Sequence, residues 1–204
     1  MYKKIVIVFE GIESSGKTFH SHYVSKYLKK KKIDHILLRE PGGSRNSEKI
    51  RKLLFNDKSY FNKKTDLLLY MASRSENMIK LKKYYKKKII LIDRFTDSTI
   101  AYQHYGQGLN LNFINDINKY LLEKFKVDFT FLNIVNKENM IKRLKKRKRL
   151  NRYDKFDNNF YKKVQNGFIK IAKKTKKKYQ IIDSNLDIDL NKKIIIEKIN
   201  KLIK

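Results

Sequence analysis

The 204-residue chain has no cysteine, no tryptophan, one proline and seven glycines. Without cysteine there is no disulfide framework, no thiolate metal site and no cysteine nucleophile, a composition that fits a reducing cytoplasm. The four histidines, at 20, 22, 35 and 104, form no metal-binding spacing such as H-E-x-x-H. No apolar run approaches the roughly 18 residues of a membrane span. The leading run, Ile5 to Phe9, stops at a charge and reads as a strand rather than a signal peptide. Acidic residues are also sparse, with 20 Asp+Glu against 50 Lys+Arg and a formal net charge of +30. Such a balance is a polyanion-binding footprint. Here, however, 41 of the 50 cations are Lys, scattered from Lys3 to Lys204, in a chain rich in Ile, Asn, Tyr and Phe. That is the pattern of drift towards AT-rich codons, so much of the charge is read as solvated surface and no specific nucleic acid is expected as a partner. The nine arginines are more informative, because guanidinium supplies a planar bidentate fork that an ammonium cannot.

What is present is an alternation. Short apolar runs at 4–9, 35–39, 88–93, 128–135 and 179–183 are separated by segments of about 15 to 40 residues, long enough for crossover helices. Five buried-type strands between helices predict an α/β fold with a five-stranded parallel sheet. No internal repeat and no Pro- or Ser-rich linker divides the chain, so residues 1–204 are expected to form one domain. The Lys-rich stretches at 29–32 and 173–179 fall at predicted helix ends, where cations complement the dipole.

Directly after the first strand comes G-x-x-x-x-G-K-T, formed by Gly11, Ile12, Glu13, Ser14, Ser15, Gly16, Lys17 and Thr18. In such a loop backbone N–H groups close round a phosphate chain at a helix N-terminus. Lys17 reaches the β- and γ-phosphates, and Thr18 offers a hydroxyl to Mg²⁺. A guanine-reading N-K-x-D is missing, since residues 136–139 read NKEN. A motor ATPase would show a carboxylate pair ending a strand in a much longer chain. Here the strand at 88–93 ends in the single Asp93, placed to hold a metal-bound water beside the cradle.

Residues 91–103, LIDRFTDSTIAYQ, complete the pattern D-R-[FY]-x-x-S-x-x-A-[FY]-Q and resemble thymidylate kinases. FEGIESSGKT at 9–18, LLREPGG at 37–43 with IR at 50–51, LLLYMASR at 67–74 and a lid resembling D-R-x-E at 151–154 follow the same family order. The resemblance extends to about residue 172 and implies a P-loop nucleoside monophosphate kinase-like three-layer fold with a lid at about 143–156. It further implies ATP and Mg²⁺, dTMP as substrate, and a homodimer. Two alternatives stay open: a deoxynucleoside kinase, and a nucleic-acid-binding P-loop ATPase.

Carried over residue by residue, the resemblance puts Arg94 and Arg51 at the acceptor phosphate and Thr99 and Gln103 at the base. It puts Tyr102 near the sugar carbon that lacks a hydroxyl, with Ser98 on the same face, and Glu13 and Glu40 along the acceptor site. Tyr70 and Arg74, four apart on a predicted helix, point the same way, one to stack on a pyrimidine and the other to bond its edge. The attacking oxygen is an ionised phosphate, so catalysis needs positioning and charge cancellation rather than a nucleophile. Some family members carry an Arg in the phosphate loop, where this chain has Ser14. The catalytic cation is therefore expected from the lid, from Arg147, Arg149 or Arg152, with Arg152 favoured and Arg143 able to stack on adenine. The chain departs from the pattern at Asn151 for Asp, Asp154 for Glu, Phe19 where a hydroxyl is common, and Gln165 and Asn166 where Arg is frequent. Ser14 replaces a Gly, and a positive φ there would cost about 1 kcal/mol.

Overall fold

The computed structural model describes residues 2–56, 58–147 and 152–204, without the Lys155 side chain. Each apolar run forms a strand: β1 (Val6–Gly11), β2 (His35–Arg39), β3 (Ile89–Asp93), β4 (Phe129–Ile134) and β5 (Tyr179–Asp183). Between them lie α1 (Lys17–Lys30), α2 (Arg45–Phe55), α3 (Lys63–Tyr84), α4 (Thr96–Thr99), α5 (Leu111–Leu122), α6 (Lys137–Lys145) and α7 (Asn158–Lys174), and α8 (Ile188–Ile203) follows β5. The strands pair in parallel in the order β2-β3-β1-β4-β5.

The pleat of β1 explains the layers. Ile7 and Phe9 point to one face, where they pack with Val24 and Leu28 of α1 and Ile195 and Ile199 of α8. Val6 and Val8 point to the other, with Met78 and Leu81 of α3 and Phe125. Both faces of the sheet are therefore covered, which is why its strands read as unbroken apolar runs. The NKEN stretch has a structural role: Asn136 caps α6 by accepting from the Asn139 amide at 2.9 Å. Gln165, where Arg is frequent in the family, pairs with both backbone groups of Val135, each at 3.0 Å, and ties α7 to the end of β4.

α4 runs without a break into a π-helical stretch, Ile100–Gly106, whose wider turns re-aim its side chains. α7 packs closely on this stretch. A Cβ at Gly167 would lie 2.6 Å from the Tyr105 ring, so only glycine permits the approach.

Candidate active site

The strand order opens a crevice at the carboxyl edge of the sheet, where β1 sits between β3 and β4. The loop leaving β1 is built tightly. A side chain at Gly11, with φ 143°, would place its Cβ 2.3 Å from the Asn133 carbonyl. Ser14 adopts the left-handed φ of 57° that its replacement of glycine makes costly. Lys17 is buried and curls back on the loop, its Nζ donating to the Ile12 carbonyl at 3.3 Å. Burial, reinforced by the charge of Arg94, lowers the Lys17 ammonium to about 8. Thr18 donates to Asp93 Oδ2 at 2.6 Å, while the buried Oδ1 of Asp93 has no hydrogen-bond partner.

Arg94 follows Asp93 in a left-handed conformation, φ 68°. Its guanidinium donates to the Gly11 carbonyl at 2.9 Å, Ser98 Oγ at 3.2 Å, Glu13 Oε1 at 2.9 Å and the Tyr102 hydroxyl at 3.3 Å. The other oxygen of Glu13 accepts from Tyr102. Beneath this cluster Glu10 is fully buried and accepts from the Phe95 and Ser98 amides at 2.8 and 3.1 Å and from Ser98 Oγ at 2.6 Å. It satisfies the N-terminus of α4, whose Phe95 cap offers no side-chain acceptor. Burial, and then the nearby Asp97 carboxylate, raise Glu10 to about 7. Ser98 is thus engaged by Glu10 and Arg94, and it also lines the cavity above them.

That cavity is walled by Glu13, Lys17, Thr18, Arg39, Glu40, Pro41, Arg51, Phe55, Tyr70, Arg74, Asp93, Arg94, Phe95, Ser98, Thr99, Tyr102, Gln103, Arg147 and Tyr153. Arg74 is held on several sides. Nε donates to Glu40 at 2.9 Å, Nη1 to Asn118 at 2.6 Å and Nη2 to Thr99 at 3.0 Å, with the Phe95 ring 5.1 Å away. Arg51 donates to the Pro41 carbonyl at 2.7 Å across the cis Glu40–Pro41 turn. Gln103 is buried with its Nε2 unpartnered.

A second cavity lies on the other side of the loop, walled by Ser14, Gly16, Lys17, Thr18, Phe19, His20, Arg143, Arg147, Ser184, Leu186, Ile188 and Asn191. Arg143 bridges it, donating to the Ser14 carbonyl at 3.1 Å and the Ser184 carbonyl at 2.6 Å. Lys17, Thr18 and Arg147 line both cavities, so two ligands would meet end to end at those three residues.

A sequence profile of the family described as thymidylate kinase matches residues 9–195. A thymidylate kinase from Acholeplasma laidlawii is 38% identical over 199 residues, which span 96% of this chain and 98% of that one. One from Ehrlichia canis is 39% identical, covering 89% of each. The chain belongs to the thymidylate kinase family. The crystal structure of the Ehrlichia chaffeensis thymidylate kinase superposes with a TM-score of 0.77 at 33% identity, covering 97% of this chain and 99% of that one.

Within this thymidylate kinase fold, the positions named from the sequence fall mostly together. Glu13, Lys17, Thr18, Glu40, Arg51, Tyr70, Arg74, Asp93, Arg94, Ser98, Thr99, Tyr102 and Gln103 share the first cavity. Ser14, Gly16 and Arg143 line the second, while Gly11, Ile12 and Ser15 complete the loop between. The lid departs from expectation. Arg152, favoured as the catalytic cation, lines neither cavity. Its guanidinium is paired with Asp66, 3.2 Å from the Tyr153 hydroxyl and 5.0 Å from that ring. Arg147 instead stands at the junction, held by the buried Asp154 at 2.5 Å. Arg149 and Asn151 lie outside the described residues.

Three further residues shape the site. Asn118 of α5 sits on the buried side of that helix and fixes Arg74, a polar residue at an apolar position. Tyr153, the variable position of the lid motif, is buried against Tyr70 and Tyr102 with ring centroids at 6.0 and 6.4 Å. Glu10 precedes the phosphate loop and reaches 85 residues along the chain to Phe95.

Proposed function

We propose that the chain transfers the γ-phosphoryl group of ATP to the 5′-phosphate of dTMP, giving dTDP for dTTP and DNA synthesis. The observation that carries this reading is the meeting of the two cavities at Lys17, Thr18 and Arg147. A donor on the phosphate-loop side and an acceptor on the other bring their phosphates into line there, and positioning plus charge cancellation does the rest. Arg94 and Arg51 receive the acceptor phosphate. Arg147, held at the junction by Asp154, neutralises charge on the group in flight, and closure of the lid excludes water that would hydrolyse ATP.

Base selection follows from the donors left over on Arg74. Of five N–H groups, one binds Glu40, one Asn118 and one Thr99, and one faces the Met71 sulfur at 3.7 Å. The fifth remains for a ligand in the cavity. A pyrimidine carbonyl at ring position 4 accepts it, whereas the amino group of cytosine opposes it. Tyr70 offers its ring for stacking, and Thr99 and Gln103 meet the remaining edge.

Thr18 and Asp93 suit Mg²⁺, because the buried Asp93 Oδ1 lacks a partner and both residues offer hard oxygen donors. The described residues hold no group of three or more metal-ligating side chains, so phosphate oxygens and water would complete the shell. When bound, the ion neutralises charge on the ATP phosphates.

The same reading includes a homodimer, cytoplasmic residence and a lid supplied by the single domain. α3 turns Leu68, Ala72, Ser75 and Ile79 to solvent at helical spacing, with Leu68 52% and Ile79 73% exposed, an apolar stripe suited to a second copy. No helix of the described residues is long and apolar enough to cross a membrane.

Initial rates with ATP and Mg²⁺ across dTMP, dUMP, dCMP, dAMP and dGMP test the reading. The highest kcat/KM belongs to dTMP, with dCMP far below it. A preference for any other acceptor, or for thymidine, refutes it.

A further inference from the structure

Phe19 is the third residue of α1, next to the Lys17–Thr18 pair, and forms part of the wall of the second cavity while 44% exposed. Two more large apolar side chains share that wall in the same half-exposed state, Leu186 at 51% and Ile188 at 47%. Leu186 lies between β5 and α8 and Ile188 opens α8, so the fold gathers them and Phe19 from opposite ends of the chain. Apolar side chains gathered in a concave site and left partly in water match a surface that a ligand covers.

The Phe19 ring is also held in place. Tyr23 lies parallel to it, with centroids 6.4 Å apart and planes at 5°. The Lys192 ammonium stands 5.5 Å from it, and His20 meets it edge-on at 5.5 Å. Tyr23 and Lys192 flank the ring, and of the three only Phe19 lines the cavity. The cavity therefore has a phosphate end, at Ser14 to Thr18, and an apolar end. A nucleotide has the same two ends.

We propose that Phe19 is a binding determinant for the donor nucleotide: its ring forms the apolar wall against which the purine base packs, opposite in chemistry to the phosphate loop. This rests on reading the second cavity as the donor site. Base contact with an aromatic ring is worth roughly fivefold to a hundredfold in affinity, and the partial exposure of Phe19 places the effect near the lower end, about tenfold.

Titration calorimetry of ADP and of tripolyphosphate against the full chain and three variants tests it. Phe19→Thr weakens ADP about tenfold and leaves tripolyphosphate within twofold, because only ADP carries a base. Phe19→Tyr keeps ADP binding within twofold of the parent chain. Unchanged ADP affinity in Phe19→Thr overturns the proposal, as does an equal loss for both ligands, which would mark a distorted loop. Lys17→Ala separates the two claims. It abolishes tripolyphosphate binding if the cavity is the donor site, and retention of both ligands in that variant overturns the donor-site reading whatever Phe19 does.

Discussion

Replacing Arg147 by alanine tests which lid cation serves the reaction. Arg147 lines both cavities and is oriented by Asp154, whose side chain is wholly buried. A single preorganised donor to a transition-state charge is worth about 2.7–4 kcal/mol, or 10² to 10³ in kcat. The Arg147 side chain is 36% exposed, so solvent screening places the expectation at the lower end, about 10². The ground state gains little from this cation, so KM for dTMP should stay within about threefold. Asp154→Asn keeps the guanidinium but loosens its aim, and about a tenfold fall in kcat is expected. Arg152→Ala should differ in kind. It strips the guanidinium from the buried Asp66, so it should cost about 2 kcal/mol of stability, read as a lower Tm, with a smaller loss of kcat. The assay is a coupled measurement of ADP release at saturating ATP and Mg²⁺ with varied dTMP, beside a thermal melt. A kcat within threefold of the parent in Arg147→Ala, or a larger kcat loss in Arg152→Ala, refutes the assignment.

Glu10 makes stability depend on pH in a defined direction. With Glu10 raised from 4.5 to about 7, the folded chain holds a proton that the unfolded chain releases, so stability declines as pH rises through that window. The full shift corresponds to at most about 3 kcal/mol. Glu10→Gln keeps an acceptor for the Phe95 and Ser98 amides and removes the titration, so its Tm should gain several degrees on the parent between pH 5 and pH 8; a constant difference contradicts the account. The α3 stripe predicts that Ile79→Asp yields a monomer by light scattering where the parent is a dimer, and a parent that is monomeric at micromolar concentration rules the stripe out as a dimer face.

The sheet was legible because each strand spells out its own apolar run, most plainly in β1, β3 and β4, which are buried on both faces. The phosphate loop and the Asp93–Arg94 corner were legible because each is contiguous. Long-range polar pairing was not. Nothing in the local sequence joins Arg152 to Asp66, 86 residues away, or Arg74 to Asn118, 44 away. The lid motif points to Arg152 by position, whereas the partner each lid arginine takes is set by acids distant in the fold or sequence. Asp66 claims Arg152, and Asp154 holds Arg147 over the junction. Gln165 departs from the family pattern, and its pairing with Val135 is a contact only the folded chain creates.

The proposed reaction has the phosphate of dTMP as its acceptor. The most direct measurement is ³¹P NMR of the purified chain with ATP, Mg²⁺ and an equimolar mixture of dTMP, dUMP, dCMP, dAMP and dGMP, with products separated at low conversion. ADP and dTDP are expected as the first products, in equal amount. A different deoxynucleoside diphosphate, or orthophosphate released without any diphosphate formed on an acceptor, would contradict it.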